Sequence, residues 1–136
     1  MASYAIAGMR SVGAFYATKL KAAGIRSSEK LLERAGPLKG RKQLAQQTGI
    51  PESDILRWTN LADLMRVRGV AADYSELLAA AGVDTVKELK RRNAPNLTAR
   101  LAAVNAERNL VDFLPGETRV ARWIEEAKTL EPKITY

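Results

Sequence analysis

The chain has 136 residues and a formal net charge of +7, and it contains neither cysteine nor histidine. These absences exclude disulfides, thiolate chemistry and the commonest general base and metal ligand. No apolar run approaches the roughly 18 residues of a membrane helix, and the start lacks the pattern of a signal peptide. We therefore expect a cytoplasmic protein without a cofactor, and the positive charge favours a polyanionic partner.

Helical spacing of apolar residues, together with the glycine and proline positions, predicts an all-α fold of ten helices. Gly24 and Gly82 are typical helix ends, and Pro51 suits a first helical turn. Trp58 and Trp123 fall on apolar helix stripes, which predicts that they are core residues. In chain order the predicted helices span residues 4–10, 14–23, 28–35, 41–48, 51–65, 72–81, 85–92, 97–104, 106–113 and 117–130.

One stretch of the chain occurs twice at a constant offset of 58 residues and without gaps. Trp58 and Trp123 extend the correspondence at an offset of 65, with the seven extra residues assigned to the region 93–115. The aligned pairs are Arg10 with Arg68, Val12 with Val70, Tyr16 with Tyr74, Leu20 with Leu78, and Gly24 with Gly82. The sequence therefore predicts an internal duplication, with repeats at residues 1–65 and 66–136 that form one compact unit.

The repeated stretch resembles the helix-hairpin-helix motif, which has a tight turn of two glycines between two helices. Each copy is degenerate: Gly13 is kept beside Ser11 in the first, and Gly69 is kept beside Ala71 in the second. The resemblance implies two tandem five-helix repeats, each containing one such motif. In that family the backbone N–H groups at the start of the second helix hold a DNA phosphate with little sequence preference.

A wider resemblance covers nearly the whole chain. The runs 21–34, 49–64 and 123–128 are similar to an uncharacterised bacterial domain-of-unknown-function family built of tandem helix-hairpin-helix-like repeats. This similarity implies an all-α fold and little about activity.

The two predicted hairpins supply the candidate nucleic-acid contacts. The first copy is favoured because lysines follow its turn, whereas Asp73 and Glu76 in the second repel an anion from the helix start. No catalytic or metal-binding residue is assigned. The candidates are Arg10, Ser11, Val12, Gly13, Ala14, Lys19 and Lys21 in the first copy, and Arg66, Arg68 and Gly69 in the second.

The leading hypothesis is a non-enzymatic protein that binds DNA through its phosphates without reading sequence. The alternative is a protein-interaction or scaffolding module with no nucleic-acid role, which the missing glycines favour. A small enzyme is disfavoured by the absence of histidine and cysteine.

Overall fold

The computed structural model describes residues 3–136, so the first two residues of the predicted repeat 1–65 lie outside the described range. Within that range the chain is all-helical, as predicted, with eight α-helices and one short 3-10 helix at Ile6–Gly8. The α-helices are α1 (Gly13–Ala22), α2 (Ser28–Ala35), α3 (Leu38–Thr48), α4 (Glu52–Leu64), α5 (Ala72–Ala80), α6 (Val86–Leu89), α7 (Ala94–Arg108) and α8 (Glu117–Ala127).

The prediction of five helices in each half is wrong for the second half, which has four α-helices. The first half of the described chain has the 3-10 helix and four α-helices. The predicted helix at 106–113 is absent because α7 continues to Arg108 and the Asn105 side chain binds the chain beyond it. Asn105 Oδ1 accepts the N–H groups of Leu110 and Val111 at 2.7 and 3.0 Å. The predicted helix at 4–10 is limited to the 3-10 turn, as Ile6 N–H donates to the Arg26 carbonyl at 2.9 Å.

The loops left between the predicted helices at residues 36–40 and 93–96 are shorter in the structure, because proline is compatible with a helix start. Helix α3 begins directly after Pro37, and Pro95 lies inside the first turn of α7. The side chain of Asn93 caps α7 by accepting the N–H of Asn96 at 3.0 Å.

Apolar side chains form two core clusters, one in each half of the described chain. The first contains Trp58, which is 1% exposed, and the second contains Trp123, which is 2% exposed, so both predicted core positions are confirmed. In the first half α2 and α3 pack against α4, in the second α7 and α6 pack against α8, and α4 also contacts α5.

The same contacts recur in the two halves at the offsets found in the sequence. Tyr16 and Trp58 have ring centroids 5.3 Å apart at 53°, and Tyr74 and Trp123 have centroids 5.4 Å apart at 55°. After each first helix the chain turns in the same way. The N–H of Ile25 donates to the Leu20 carbonyl at 2.8 Å, and that of Val83 donates to the Leu78 carbonyl at 2.9 Å.

A buried ion pair joins the end of α4 to the start of α6 and to the C-terminal segment. Arg66 Nη1 lies 2.8 Å from Asp63 Oδ1, and the two side chains are 4% and 2% exposed. The other carboxylate oxygen of Asp63 accepts the Val86 N–H at 2.9 Å, while Arg66 also donates to the Glu131 carbonyl at 2.8 Å. Each charge is thus compensated, which a buried ion requires.

Candidate nucleic-acid interface

The start of α1 depends on a glycine. Gly13 has a φ of +79°, in the left-handed region that residues with a Cβ avoid. The preceding Val12 is buried, and its N–H donates to the Met9 carbonyl at 3.0 Å. This tight turn leaves Gly13 and Ala14 exposed at the N-terminal end of the helix.

The N-terminus of α1 has no cap. Among residues 3–136, no backbone or side-chain acceptor takes the N–H groups of Gly13, Ala14 and Phe15. The N-cap residue, Val12, has no side-chain oxygen, and the first turn contains no acidic residue. The N-terminal end of α1 therefore presents three unpaired N–H donors and the positive end of the helix dipole to solvent.

The three predicted basic residues of the first hairpin are in different situations. Arg10 is exposed and forms an ion pair with Asp73, whose hydrogen bond and charge raise the pKa of the guanidinium. Lys19 Nζ donates to the Thr48 carbonyl at 3.2 Å and lies 5.2 Å from the centroid of the Phe15 ring. Lys21 is exposed and has no ion pair among the described residues.

The side chains of Ser11 and Val12 are unsuited to the predicted phosphate contact. The Ser11 hydroxyl oxygen is buried without a hydrogen-bond partner among the described residues, and the Val12 side chain is 3% exposed. These positions shape the turn, and the two residues that follow them, Gly13 and Ala14, are exposed.

The second hairpin differs from the prediction in one residue. Arg66 is buried in its pair with Asp63, so its guanidinium is not available to an external phosphate, and this predicted contact is corrected. Arg68 and Gly69 are exposed, and Gly69 has a φ of +89°. Asp73 lies in the first turn of α5, as expected.

Three exposed residues beside the two hairpins were not among the predicted contacts. Phe15 carries the third of the free amides of α1, and its side chain is 69% exposed. The buried positions of α1 are Ala17 and Leu20. Phe15 lies on a different side of the helix from them, and this spacing in the sequence predicts that it is exposed. Arg119 and Arg122 flank the inward positions Val120 and Trp123 of α8, so the same periodicity places them on its outer side.

No group of three His, Cys, Asp or Glu side chains in residues 3–136 is arranged to hold a metal ion. Over the same range, no helix has the length and apolar character needed to cross a bilayer.

Comparison with known proteins identifies a family. Residues 10–130 match the family described as a domain of unknown function, DUF4332. No curated protein and no solved structure matches the chain significantly. The match includes the eight α-helices of the described chain, and the chain therefore belongs to the DUF4332 family.

Proposed function

We propose that this protein is a tandem of two helix-hairpin-helix-like repeats that binds nucleic acid through backbone phosphates, without catalysis and without sequence preference. The recurrence of the Tyr16–Trp58 contact as Tyr74–Trp123 supports the tandem organisation. In this proposal the first repeat provides the phosphate contact. The cytoplasmic location and bacterial origin expected from the sequence stay predictions.

The uncapped N-terminus of α1 carries the proposal. Gly13, Ala14 and Phe15 present N–H groups that lack an acceptor in the described chain, at an exposed helix end with no acidic side chain in its first turn. Such an end is an anion site by its geometry and dipole, and a phosphate oxygen satisfies these donors. The net charge of +7 adds attraction for a polyanion.

The side chains around this end suit contact with the nucleic-acid backbone. Lys21 is exposed in the last turn of the same helix, about two turns from the free amides, and Lys19 lies over the Phe15 ring, nearer to them. Exposed Phe15 provides an apolar surface for a sugar ring beside the bound phosphate. Amides, lysines and a phenyl ring carry no hydrogen-bonding pattern that distinguishes base pairs, which is why we propose sequence-independent binding.

The proposal is tested by fluorescence anisotropy with a short mixed-sequence DNA duplex at several salt concentrations. Ala14→Glu/Lys21→Glu places an acidic side chain at the free amides and reverses the free lysine. Ala99→Glu/Arg100→Glu, at exposed positions of α7, changes the net charge by the same amount. We expect affinity to fall steeply with salt. The first variant should lose about tenfold or more in affinity, and the second much less.

Equal loss in the two folded variants would mean that only net charge matters, and it would contradict a site on α1. Absence of binding by the wild-type protein at low salt would contradict the nucleic-acid proposal as a whole.

A second candidate function, a protein-interaction module, is favoured by one observation. Phe113 and Leu114 are 80% and 48% exposed in the segment between α7 and α8. The Tyr74 hydroxyl donates to the Phe113 carbonyl at 2.8 Å, which fixes this segment against the second hairpin. Phe113→Ser/Leu114→Ser would abolish capture of a protein partner under this alternative, and it would leave duplex binding unchanged under the leading proposal.

A further inference from the structure

A second, separate surface lies beside the Gly69 turn, on the half of the protein that contains α8. It is an open cleft of about 420 Å³ between that turn and the outer side of α8. Its lining residues are Arg68, Gly69, Arg119, Arg122, Trp123 and Glu126. Neither the free amides of α1 nor the basic residues of the first hairpin contribute to it.

The three arginines of this cleft carry charges that the rest of the described chain does not neutralise. None of them forms an ion pair among residues 3–136. The one carboxylate in the cleft, that of Glu126, accepts the backbone N–H of Arg68 at 2.9 Å. Three guanidinium groups and one carboxylate leave the cleft with two net positive charges.

Two aromatic rings hold Arg119 in position before any ligand arrives. Its guanidinium carbon lies 4.9 Å from the centroid of Tyr74 and 5.7 Å from that of Trp123. Its Nη1 also lies 3.4 Å from the Tyr74 hydroxyl oxygen, which accepts a hydrogen bond. A guanidinium fixed by stacking loses less conformational entropy when it binds an oxyanion.

The indole N–H of Trp123 faces the same cleft. Trp123 is 2% exposed, and none of the hydrogen bonds among residues 3–136 uses its Nε1. This nitrogen lies 3.5 Å from the point that a Cβ on Gly69 would occupy. The glycine therefore leaves open the space through which a ligand oxygen reaches this unused donor.

The corresponding positions of the first half are neutralised or covered. At the offset of 65, Asp54 corresponds to Arg119, and Arg57 corresponds to Arg122. Asp54 and Arg57 form an ion pair at 3.3 Å, so the first half has no free arginine at these positions. At the offset of 58, Ser11 replaces Gly69, and its hydroxyl and the Trp58 Nε1 are both buried without a partner. The charged, open cleft is thus specific to the second half.

From these contacts we infer that the Arg68–Arg119–Arg122 cleft binds a phosphomonoester dianion. A phosphomonoester carries a charge near −2 at neutral pH and offers three strong acceptor oxygens. Its charge matches the two net positive charges of the cleft. The planar guanidinium groups and the indole N–H supply donors for its oxygens. This site stands independently of the proposed interface on α1.

The test follows the indole N–H signals of the two tryptophans by NMR during a titration with inorganic phosphate, against sodium chloride at equal ionic strength. We expect a saturable shift of the Trp123 signal only, since the Trp58 Nε1 is buried away from the cleft. A Trp123 signal that moves no more with phosphate than with chloride would overturn the inference.

Paired variants assign the binding to the cleft. Arg68→Gln/Arg122→Gln removes two of its charges, whereas Arg91→Gln/Arg100→Gln removes two exposed charges elsewhere that form no ion pair among residues 3–136. We expect the first pair to weaken phosphate binding by at least tenfold and the second to leave it within twofold, because hydrogen bonds to charged groups contribute strongly. An equal effect of the two pairs would overturn the assignment. Ala14→Glu/Lys21→Glu should leave the Trp123 shift unchanged, which separates this site from α1.

The source of the phosphomonoester is distinguished by two further probes. Adenosine 5′-monophosphate represents a small phosphorylated metabolite, and a single-stranded hexanucleotide with a 5′-phosphate represents a nucleic-acid end. Tighter binding of the hexanucleotide than of the mononucleotide, lost in its 5′-hydroxyl form, assigns the cleft to a strand end. Equal binding of the two phosphorylated probes assigns it to the phosphate group alone. A Trp123 signal that responds to the 5′-hydroxyl strand as strongly as to the phosphorylated strand would contradict a phosphomonoester site.

Discussion

Arg10, which precedes the first hairpin turn, forms an ion pair with Asp73 in the first turn of α5. Both side chains are more than half exposed, at 71% and 53%, so solvent screens the pair. The contact joins the two predicted hairpins. Under the proposed function, Asp73 also competes with a nucleic-acid phosphate for the guanidinium of Arg10.

Removing this acidic partner should strengthen nucleic-acid binding. In Asp73→Asn the guanidinium of Arg10 becomes free to contact a phosphate, so the affinity for a duplex should rise severalfold. The slope of log affinity against log salt should steepen by about one. Anisotropy titrations at several salt concentrations measure both quantities. Glu107→Gln, an equal charge change at an exposed position of α7, should raise affinity less and leave the slope nearly unchanged.

The positive φ of Gly13 has a measurable cost when a side chain is introduced. Nothing lies within 4 Å of an added Cβ, so Gly13→Ala introduces no clash. The free energy of unfolding should fall by about 1–2 kcal/mol, which is the cost of the left-handed conformation for a residue with a Cβ. Urea unfolding provides the free energy. Gly8→Ala is the matched control, because an added Cβ there is equally unobstructed and φ is not positive. Similar losses in the two variants would argue against the left-handed turn at Gly13.

The buried pair of Asp63 and Arg66 should dominate the electrostatic contribution to stability. Asp63→Ala leaves the buried guanidinium without its carboxylate and frees the Val86 N–H, so we expect a loss of about 3–5 kcal/mol. Glu33→Ala, which breaks an exposed pair with Lys30, should cost less than about 1 kcal/mol. Chemical denaturation measures the free energy of unfolding of both variants. A loss in Asp63→Ala as small as that in Glu33→Ala would contradict the burial of Asp63 and Arg66.

Asp84 should make stability depend on pH in a defined direction. Desolvation, and secondly the charge of Glu88, raise the pKa of Asp84 above its ordinary value of 3.8. The folded state therefore holds the proton of Asp84 more tightly than the unfolded state does. As pH rises through the pKa of Asp84 and the carboxyl group ionises, the free energy of unfolding decreases. Asp84→Asn should unfold at a higher temperature than the wild type at pH 7 and at nearly the same temperature at pH 3. A wild-type protein that unfolds at the same temperature as Asp84→Asn at pH 7, or at a higher one, would contradict the raised pKa of Asp84.

Periodicity predicted much of the fold because the inward stripes are regular. Trp58 and Trp123 lie four residues before inward alanines on long helices, and burial follows from that spacing alone. The end of α7 was missed for a physical reason. The amide of Asn105 binds the backbone of residues 110 and 111, and a side-chain competitor of this kind leaves no periodic signal.

The candidate site was predicted in its backbone and less well in its side chains. The small residues around Gly13 predicted a tight turn and an exposed helix start. The burial of Arg66 depends on Asp63, on Val86 and on the carbonyl of Glu131, which is 65 residues away in sequence. No local pattern contains such a partner. Arg68 and Arg119 likewise share a cleft only because the turn and α8 meet in the tertiary structure.

The central claim is that the free amides of α1 hold a phosphate, and backbone amide NMR with a short DNA duplex tests it most directly. We expect the signals of Gly13, Ala14 and Phe15 to shift in a saturable way as duplex is added, and the shifts to shrink as salt rises. The equivalent amides at the start of α5, where Asp73 opposes an anion, should move little. Signals from α1 that stay in place while other surface amides shift would contradict the account.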